Sequence, residues 1–205
     1  MKKLIRLLAV FVLAAVFGFS MTACNNGTTD NDDRVLEITV SNEQVYDYDT
    51  KDPLDDASIF NGSYPEFWDL LGYLRSLSDD FLSASCTITG GKLTFKLGAP
   101  KDGSLNALKA ASGYNFGSAA SNEANALIYN AFSKDSGDHF LQMMTENAGI
   151  RVNYIYVDRA VTINDNAFDN VTLKEGWNTL LWDWSNDTYT NGTPNSSYKW
   201  YAGWD

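Results

Sequence analysis

The segment SASCTITGGKLTFKL, residues 83–97, restricts the fold of this chain more than any other stretch. A Gly90-Gly91 pair separates two runs of β-branched and apolar residues, which is the pattern of a two-residue hairpin turn. A turn at these glycines pairs Thr89 with Lys92, and every further pair joins residues of like character. The apolar pairs are Ala84–Leu97, Cys86–Phe95 and Ile88–Leu93, and the polar pairs are Ser85–Lys96 and Thr87–Thr94. Because the turn and the burial of one face require the same register, the sequence predicts an antiparallel hairpin with Cys86 as a small buried hydrophobe.

Further strands are predicted on both sides of this hairpin. A first strand is expected at residues 35–40, and IRVNYIYV at 150–157 is apolar on both faces, which places it centrally. ALIYNAF and HFLQMM flank a loop at 133–138 and predict a second hairpin, and the remaining strand-like runs are AVTIN, NVTL, WNTLLWDW and YKWYAGW. Many short strands favour a sandwich or an open barrel. We expect a mainly β single domain over residues 35–205, an antiparallel β-sandwich of immunoglobulin-like or transthyretin-like type.

One accessory α-helix is predicted ahead of the hairpin, over residues 64–79. Ser63 and Glu66 have the spacing of a capping box, and Pro65 stands in the first turn, where its missing N–H costs nothing. Apolar residues then recur at intervals of three and four: Phe67, Leu70, Leu71, Leu74, Leu77 and Phe81. This periodicity places them on one face of an amphipathic helix.

The amino-terminal segment has the pattern of an export signal over residues 1–23. Lys2, Lys3 and Arg6 precede an uncharged apolar run at 7–19, which is too short to span a bilayer as a permanent helix. The residues Met21-Thr22-Ala23-Cys24 resemble the lipobox of bacterial lipoproteins, with Met21 where that family usually has leucine. The resemblance implies cleavage before Cys24, acylation of its thiol and anchoring to membrane lipid. Residues 24–34 then form the lipidated cysteine and a polar, flexible tether.

The charge balance excludes one class of partner. The chain has 26 acidic residues against 15 Lys and Arg, for a net charge of −11, and removal of the cationic signal makes the remainder more negative still. Nucleic-acid binding requires clustered Lys and Arg and is therefore not expected. With Cys24 used for lipid, Cys86 is the only other cysteine, so neither an intramolecular disulfide nor a cysteine-based metal site is expected.

No motif of catalysis or metal binding stands out. The acidic run DYDTKDPLDD at 47–56 invites a calcium interpretation, but Lys51, Asp52 and Ser58 break the EF-hand pattern, which favours a solvated loop. His139 is the only histidine, and no serine or cysteine nucleophile accompanies it in a recognisable pattern. A pair of glycosidase carboxylates would leave no local signature, so a hydrolase stays a minor alternative. We expect no enzyme activity, no metal and no cofactor.

The tryptophans near the end of the chain are the candidate ligand site. Trp182, Trp184, Trp200 and Trp204 could form an aromatic platform for a glycan or a protein ligand, since indole offers apolar area and one hydrogen-bond donor. The alternative, which we favour, is that they belong to the core, because Leu180 shares a face with Trp182 and Trp184. Trp177, directly after Gly176, is expected to be a structural plug.

Several motifs in order resemble a group of bacterial lipoproteins that is common in spirochaetes. They are CTITGGKLTFKLGAP, YIYVDRAVTI, NVTLKEGWNTLLW and YKWY, which correspond to a G-K-L-x-F-x-L hairpin, a Y-V-x-x-D/R-x-V-T-I strand and an L-K-x-G-W-N hairpin. The resemblance covers most of residues 80–204 and supplies no active site. It implies a lipid-anchored protein of the cell envelope, with the outer membrane favoured. We therefore expect a binding or surface-structural module, with a carbohydrate-binding module as the first alternative.

Overall fold

The computed structural model describes residues 34–54, 60, 79–108, 121, 123–129, 132–134, 139–147, 149–164, 168 and 170–204. Fourteen strands lie in these ranges, with a short 3-10 helix at Asn42–Gln44 and no α-helix. The strands are β1 (Leu36–Ser41), β2 (Val45–Asp47), β3 (Ala84–Thr89), β4 (Lys92–Leu97), β5 (Asn106–Ala107), β6 (Asn125–Tyr129), β7 (Phe132–Lys134), β8 (His139–Thr145), β9 (Ile150–Val157), β10 (Val161–Ile163), β11 (Val171–Leu173), β12 (Gly176–Asp183), β13 (Thr188–Asn191) and β14 (Tyr198–Trp204). The fold is mainly β and sandwich-like, as the sequence predicts.

The hairpin at residues 83–97 forms in the predicted register. β3 and β4 pair antiparallel from Ala84–Leu97 to Thr89–Lys92, and all six predicted pairs are present. Gly90 and Gly91 have φ values of 57° and 73°, the left-handed conformation that both central residues of a type I′ turn require. β1 pairs with the other edge of β4 and completes a three-stranded sheet in the order β1-β4-β3.

A nine-stranded sheet forms the centre of the molecule. Its main path runs β13-β12-β9-β8-β14-β2, and β5, β6 and β7 attach beside β8 and β9. β9 pairs with β12 over its whole length and with β6 and β8 on its other edge, which confirms its predicted central position. The pairs in this sheet are antiparallel except the one between β14 and β2. Only the end of the second predicted hairpin forms: β7, which begins at Phe132, pairs with β8, whereas β6, which contains most of ALIYNAF, pairs with β9.

The nine-stranded sheet buries both of its faces. The first face packs against the β1-β4-β3 sheet through Val152 and Tyr154 of β9 and Trp200 of β14. The second face carries the two-stranded ribbon of β10 and β11 and contributes Ile155 and Val157 of β9 to a separate core. Since neighbours along a strand point to opposite sides, a single strand supplies both cores.

One predicted hairpin is wrong, and other predictions concern residues that the structure does not describe. The LKEGWN segment is not a hairpin: β11 pairs with β10, whereas β12 pairs with β9 and β13, so the chain turns a corner between two sheets. Gly176, with φ 97°, and the Asn178 side chain, which bonds the backbone N–H and C=O of Lys174, hold that corner. The signal, Cys24, the tether and nearly all of the predicted helix at 64–79 lie outside the described residues, and the structure gives that helix no support.

Candidate ligand-binding site at Trp184 and Arg151

The four candidate tryptophans do not form one exposed platform. Trp182 and Trp200 are only 7% and 3% exposed, because Trp200 packs between the two sheets and Trp182 packs into the core of the second face. The core alternative is therefore right for these two. Trp184, just beyond the end of β12, is 56% exposed. The side chain of Trp204 lies outside the part of the structure that is described.

Trp177 has the structural position expected of it. Its half-buried ring packs among Phe81, Tyr129 and Tyr156, with ring centres 5.6–6.4 Å away. Its indole nitrogen donates to the carbonyl of Gly98 at 3.1 Å, which ties the corner after β11 to the end of the β3–β4 hairpin. Trp177 thus belongs to the interior and not to a ligand surface.

Trp184 lies at the end of a continuous aromatic stack on the second face. Tyr189 stacks against Phe168 on one side at 4.4 Å and against Trp182 at 5.6 Å, and Trp184 meets Trp182 edge-on at 4.9 Å. The Trp182 indole nitrogen donates to the carboxylate of Asp187 at 3.0 Å. Buried rings therefore support the one exposed ring from beneath.

The turn from β12 to β13 fixes the backbone of Trp184. The carboxylate of Asp183 accepts hydrogen bonds from the backbone N–H groups of Ser185 and Asn186 and from the Asn186 side chain. Above all the Asn186 amide, and then the two backbone donors, lower the pKa of Asp183. The backbone N–H of Trp184 donates to the carbonyl of Gly149 at 2.9 Å, which joins this turn to the neighbouring β8–β9 turn.

Arg151 lies beside the two indoles. It stands opposite Trp182 in the β9–β12 pairing, and its guanidinium carbon lies 4.5 Å from the ring centre of Trp184 and 5.7 Å from that of Trp182. Its Nε atom is buried and has no hydrogen-bond partner among the described residues. The half-buried cation and the exposed ring together are called the Arg151–Trp184 site below.

A row of side chains extends from this site across the second face. Directly paired residues share a face of a sheet, and the pairing runs Lys199–Met144–Arg151–Trp182–Tyr189 across β14, β8, β9, β12 and β13. Met144 is fully buried, while Lys199 lies 3.6 Å from the carboxylate of Glu146 and 4.3 Å from the ring centre of Tyr46. Two cations, Arg151 and Lys199, therefore lie on one row.

Buried polar groups lie next to this row on the same face. Asn153, two residues beyond Arg151, is 1% exposed, and neither its oxygen nor its nitrogen has a hydrogen-bond partner among the described residues. The hydroxyl of Tyr201 on β14 is likewise buried and unpaired within that part of the chain. Burial first, and then Glu146 and Tyr46, raise the pKa of Tyr201, which keeps its hydroxyl neutral. Unpaired buried polar atoms are uncommon in folded proteins, and here they lie on one face of the sheet.

Among the described residues, the other candidates from the sequence form no second site. Asp47 of the acidic run accepts hydrogen bonds from the backbone N–H groups of Asp49 and Thr50, which makes it a turn residue. Within the described ranges no group of three His, Cys, Asp or Glu side chains is arranged to hold a metal ion. His139 begins β8, and Cys86 is half-buried in β3 against the first-face core.

Asp158 is the other carboxylate with a displaced pKa, at the far end of β9 from Arg151. Partial burial opposes its ionisation, but the backbone and side-chain amides of Asn125 and the guanidinium of Arg159 outweigh that effect and lower the pKa of Asp158. The two Asn125 bonds measure 2.9 and 2.8 Å. They fasten β6 to the turn after β9, and this makes the Asp158 contact a structural clamp.

No protein-family model, no curated protein and no solved structure matches this chain. No helix in the described ranges is long and apolar enough to cross a membrane.

Sequence reasoning found Trp184 but missed Arg151. The available signal was position 151 itself, the only charged residue in the run IRVNYIYV. A charge in a strand that is otherwise buried on both faces indicates either an ion pair or a ligand contact.

Proposed function

We propose that this protein is a lipid-anchored binding module of the cell envelope, and that its ligand binds at the Arg151–Trp184 site. One observation carries the choice of site: a large aromatic ring is 56% exposed although its backbone, its neighbouring rings and a cation hold it in place. A ring that is already fixed loses little conformational entropy when a ligand covers it, and aromatic and arginine side chains dominate binding surfaces for that reason.

The anchor in this proposal is an acylated Cys24. The support is the cationic start, the short apolar run and the lipobox-like residues that precede the cysteine. Several acyl chains on one residue give stable membrane attachment where a single chain is marginal. Mass spectrometry of the protein from native membranes should find a chain that begins at an acylated Cys24, and Cys24→Ser should move the protein into the soluble fraction. A chain that still begins at an unmodified Met1 would overturn the anchor.

A carbohydrate is the ligand class that the site favours, through Trp184. A flat indole face accepts the apolar face of a sugar ring, and the polar Asn147 and Asn186 lie in the two turns that meet beside it. Trp184→Ala should abolish retardation of the full-length protein in gels that contain the recognised glycan. Leu82→Ala removes a side chain that is 72% exposed elsewhere on the molecule and should leave retardation unchanged. Equal retardation of the Trp184→Ala variant and the unmodified protein would exclude this site.

No arrangement of the described residues favours the hydrolase alternative. The two carboxyl groups with lowered pKa values, those of Asp158 and Asp183, both accept hydrogen bonds that stabilise turns. The proposed role is therefore binding, with no chemical step.

A further inference from the structure

We propose that the Arg151–Trp184 site selects acidic saccharides, in which a sugar carboxylate pairs with the guanidinium of Arg151 while the sugar ring contacts Trp184. This inference rests on the proposed function and names the chemical class of its ligand. It makes Arg151 the residue that determines specificity and Trp184 the residue that supplies contact area.

The first reason is that Arg151 has no acidic partner among the described residues of a chain that is rich in acid. The sequence holds 26 acidic residues against 15 Lys and Arg, yet no carboxylate of the described residues lies within ion-pair distance of Arg151. Four other cations of the described residues, Arg34, Lys96, Arg159 and Lys199, each lie within 3.6 Å of a carboxylate oxygen. A half-buried guanidinium with a buried, unpaired Nε gains most from an added anion.

The second reason is that the two carboxylates of the β12–β13 turn, those of Asp183 and Asp187, already accept hydrogen bonds. Asp183 holds the turn through three hydrogen bonds, and its lowered pKa shows that those donors stabilise its charge. Asp187 accepts from the indole nitrogen of Trp182, and its φ of 50° belongs to the turn. Neither acid pairs with Arg151, so the local structure keeps the cation available.

The third reason is geometric. The guanidinium carbon lies over one face of the Trp184 ring, 4.5 Å from its centre, so a ligand bound at the edge of this ring can contact the ring and the cation together. A guanidinium presents a planar fork of donors that matches a carboxylate with two parallel hydrogen bonds.

Because the whole protein is negatively charged, selectivity for an acidic ligand has to come from contacts within the site itself. A net charge of −11 repels acidic polymers at long range, and salt at physiological concentration screens that repulsion beyond about 8 Å. Preference for an acidic glycan must therefore come from short contacts, and loss of one contact should remove it.

The test compares one polymer in two charge states. Full-length protein in detergent micelles is run in native gels that contain either polygalacturonate or its fully methyl-esterified form, with alginate and polysialate as further acidic polymers. We expect at least one acidic polymer to bind at least roughly tenfold more tightly than the neutral ester, which is the worth of one charge-assisted hydrogen bond. Trp184→Ala should lose binding to both forms.

Arg151 variants identify the source of the preference. Arg151→Gln should bind the acidic and esterified polymers equally, and Arg151→Lys should keep part of the preference because it keeps the charge. Thermal unfolding verifies that each variant is folded; if Arg151→Gln unfolds, the comparison of Arg151→Lys with the unmodified protein decides, and an unchanged preference in Arg151→Lys counts against the guanidinium fork.

The outcomes separate the two proposals. Equal binding of acidic and neutral polymers by the unmodified protein overturns acidic selectivity while leaving carbohydrate binding intact. A preference that survives in folded Arg151→Gln overturns the role of Arg151. Absence of binding to acidic and neutral saccharides alike overturns carbohydrate binding itself, and acidic selectivity with it.

Discussion

The two faces of the nine-stranded sheet differ in whether their buried polar groups have hydrogen-bond partners. On the first face the sheet meets β1, β3 and β4 through apolar and aromatic side chains, and the indole nitrogen of Trp177 that lies there has its acceptor in Gly98. On the second face the Nε atom of Arg151, the amide of Asn153 and the hydroxyl of Tyr201 are buried without a hydrogen-bond partner among the described residues.

The difference separates a face built for stability from a face that retains costly groups. A buried polar atom without a partner typically costs about 1–3 kcal/mol, and nothing in the packing of the second face requires one. Such groups persist where they serve another purpose, and one of them, Arg151, lies beside the exposed Trp184. The first face should therefore dominate stability, and the second face should tolerate, or even benefit from, loss of its polar groups.

The largest expected effect is on the first face. Phe95 is fully buried and meets Phe132 edge-on at 4.6 Å, so Phe95→Ala should lower the free energy of unfolding by about 3–5 kcal/mol. Urea denaturation followed by circular dichroism measures this loss. Leu82→Ala, at an exposed position, should change stability by less than about 0.5 kcal/mol. Similar losses for both variants would mean that the first face is not the principal core.

The contact between Asp158 and Asn125 should contribute less to the free energy of unfolding than a core side chain and more than a surface contact. Asp158→Asn replaces a carboxylate that accepts two bonds from Asn125 and should cost about 2 kcal/mol near neutral pH. Because folding lowers the pKa of Asp158, its contribution is present above the ordinary value of 3.8 and is lost as the pH falls through the lower folded-state value.

Unfolding of the two proteins from pH 7 to pH 2.5 tests this prediction. The difference in stability between the unmodified protein and Asp158→Asn should be constant at neutral pH and should shrink below about pH 4. A difference that is independent of pH over that range would show that ionisation of Asp158 contributes nothing.

Local signals explain which parts of the fold are predictable from the sequence. The β3–β4 hairpin is predictable pair by pair because Gly90-Gly91 fixes the turn and alternation fixes the buried face. The central place of β9 is predictable because apolar residues occupy both faces of the strand. Both signals are complete within one or two neighbouring segments.

The remaining features depend on partners far away in the chain. The LKEGWN segment looks like a hairpin turn, but β12 pairs with β9, whose paired residues lie 19 (Gly176–Val157) to 33 (Asp183–Ile150) positions earlier, and no local pattern encodes that choice. The burial of Trp200 depends on the β1-β4-β3 sheet, which packs over it. The Arg151–Trp184 site joins two turns from different hairpins, so only the assembled sheet brings its residues together.

A smaller effect, of the opposite sign, should distinguish the second face. Asn153→Leu keeps the branched shape of the side chain and removes two unpaired polar atoms, so it should raise the free energy of unfolding by about 1 kcal/mol. Asn178 supplies the matched control, because its amide bonds the backbone of Lys174 and Gly176, and Asn178→Leu should lower stability. If both asparagine variants destabilise the protein equally, Asn153 has the same structural role as Asn178 and the contrast between the two faces weakens.

The smallest expected effect on stability belongs to the residue with the largest expected effect on binding. Trp184→Ala removes a ring that is mostly in solvent and forfeits its contacts with Arg151 and with the edge of Trp182, so stability should fall by less than about 1 kcal/mol. Thermal unfolding measures that change, and gel retardation by glycans measures binding on the same preparation. A loss comparable with that of Phe95→Ala would make Trp184 a core residue after all. An unchanged melting curve together with lost binding would instead show that the exposed ring serves ligand binding, since the ring would then contribute nothing to stability.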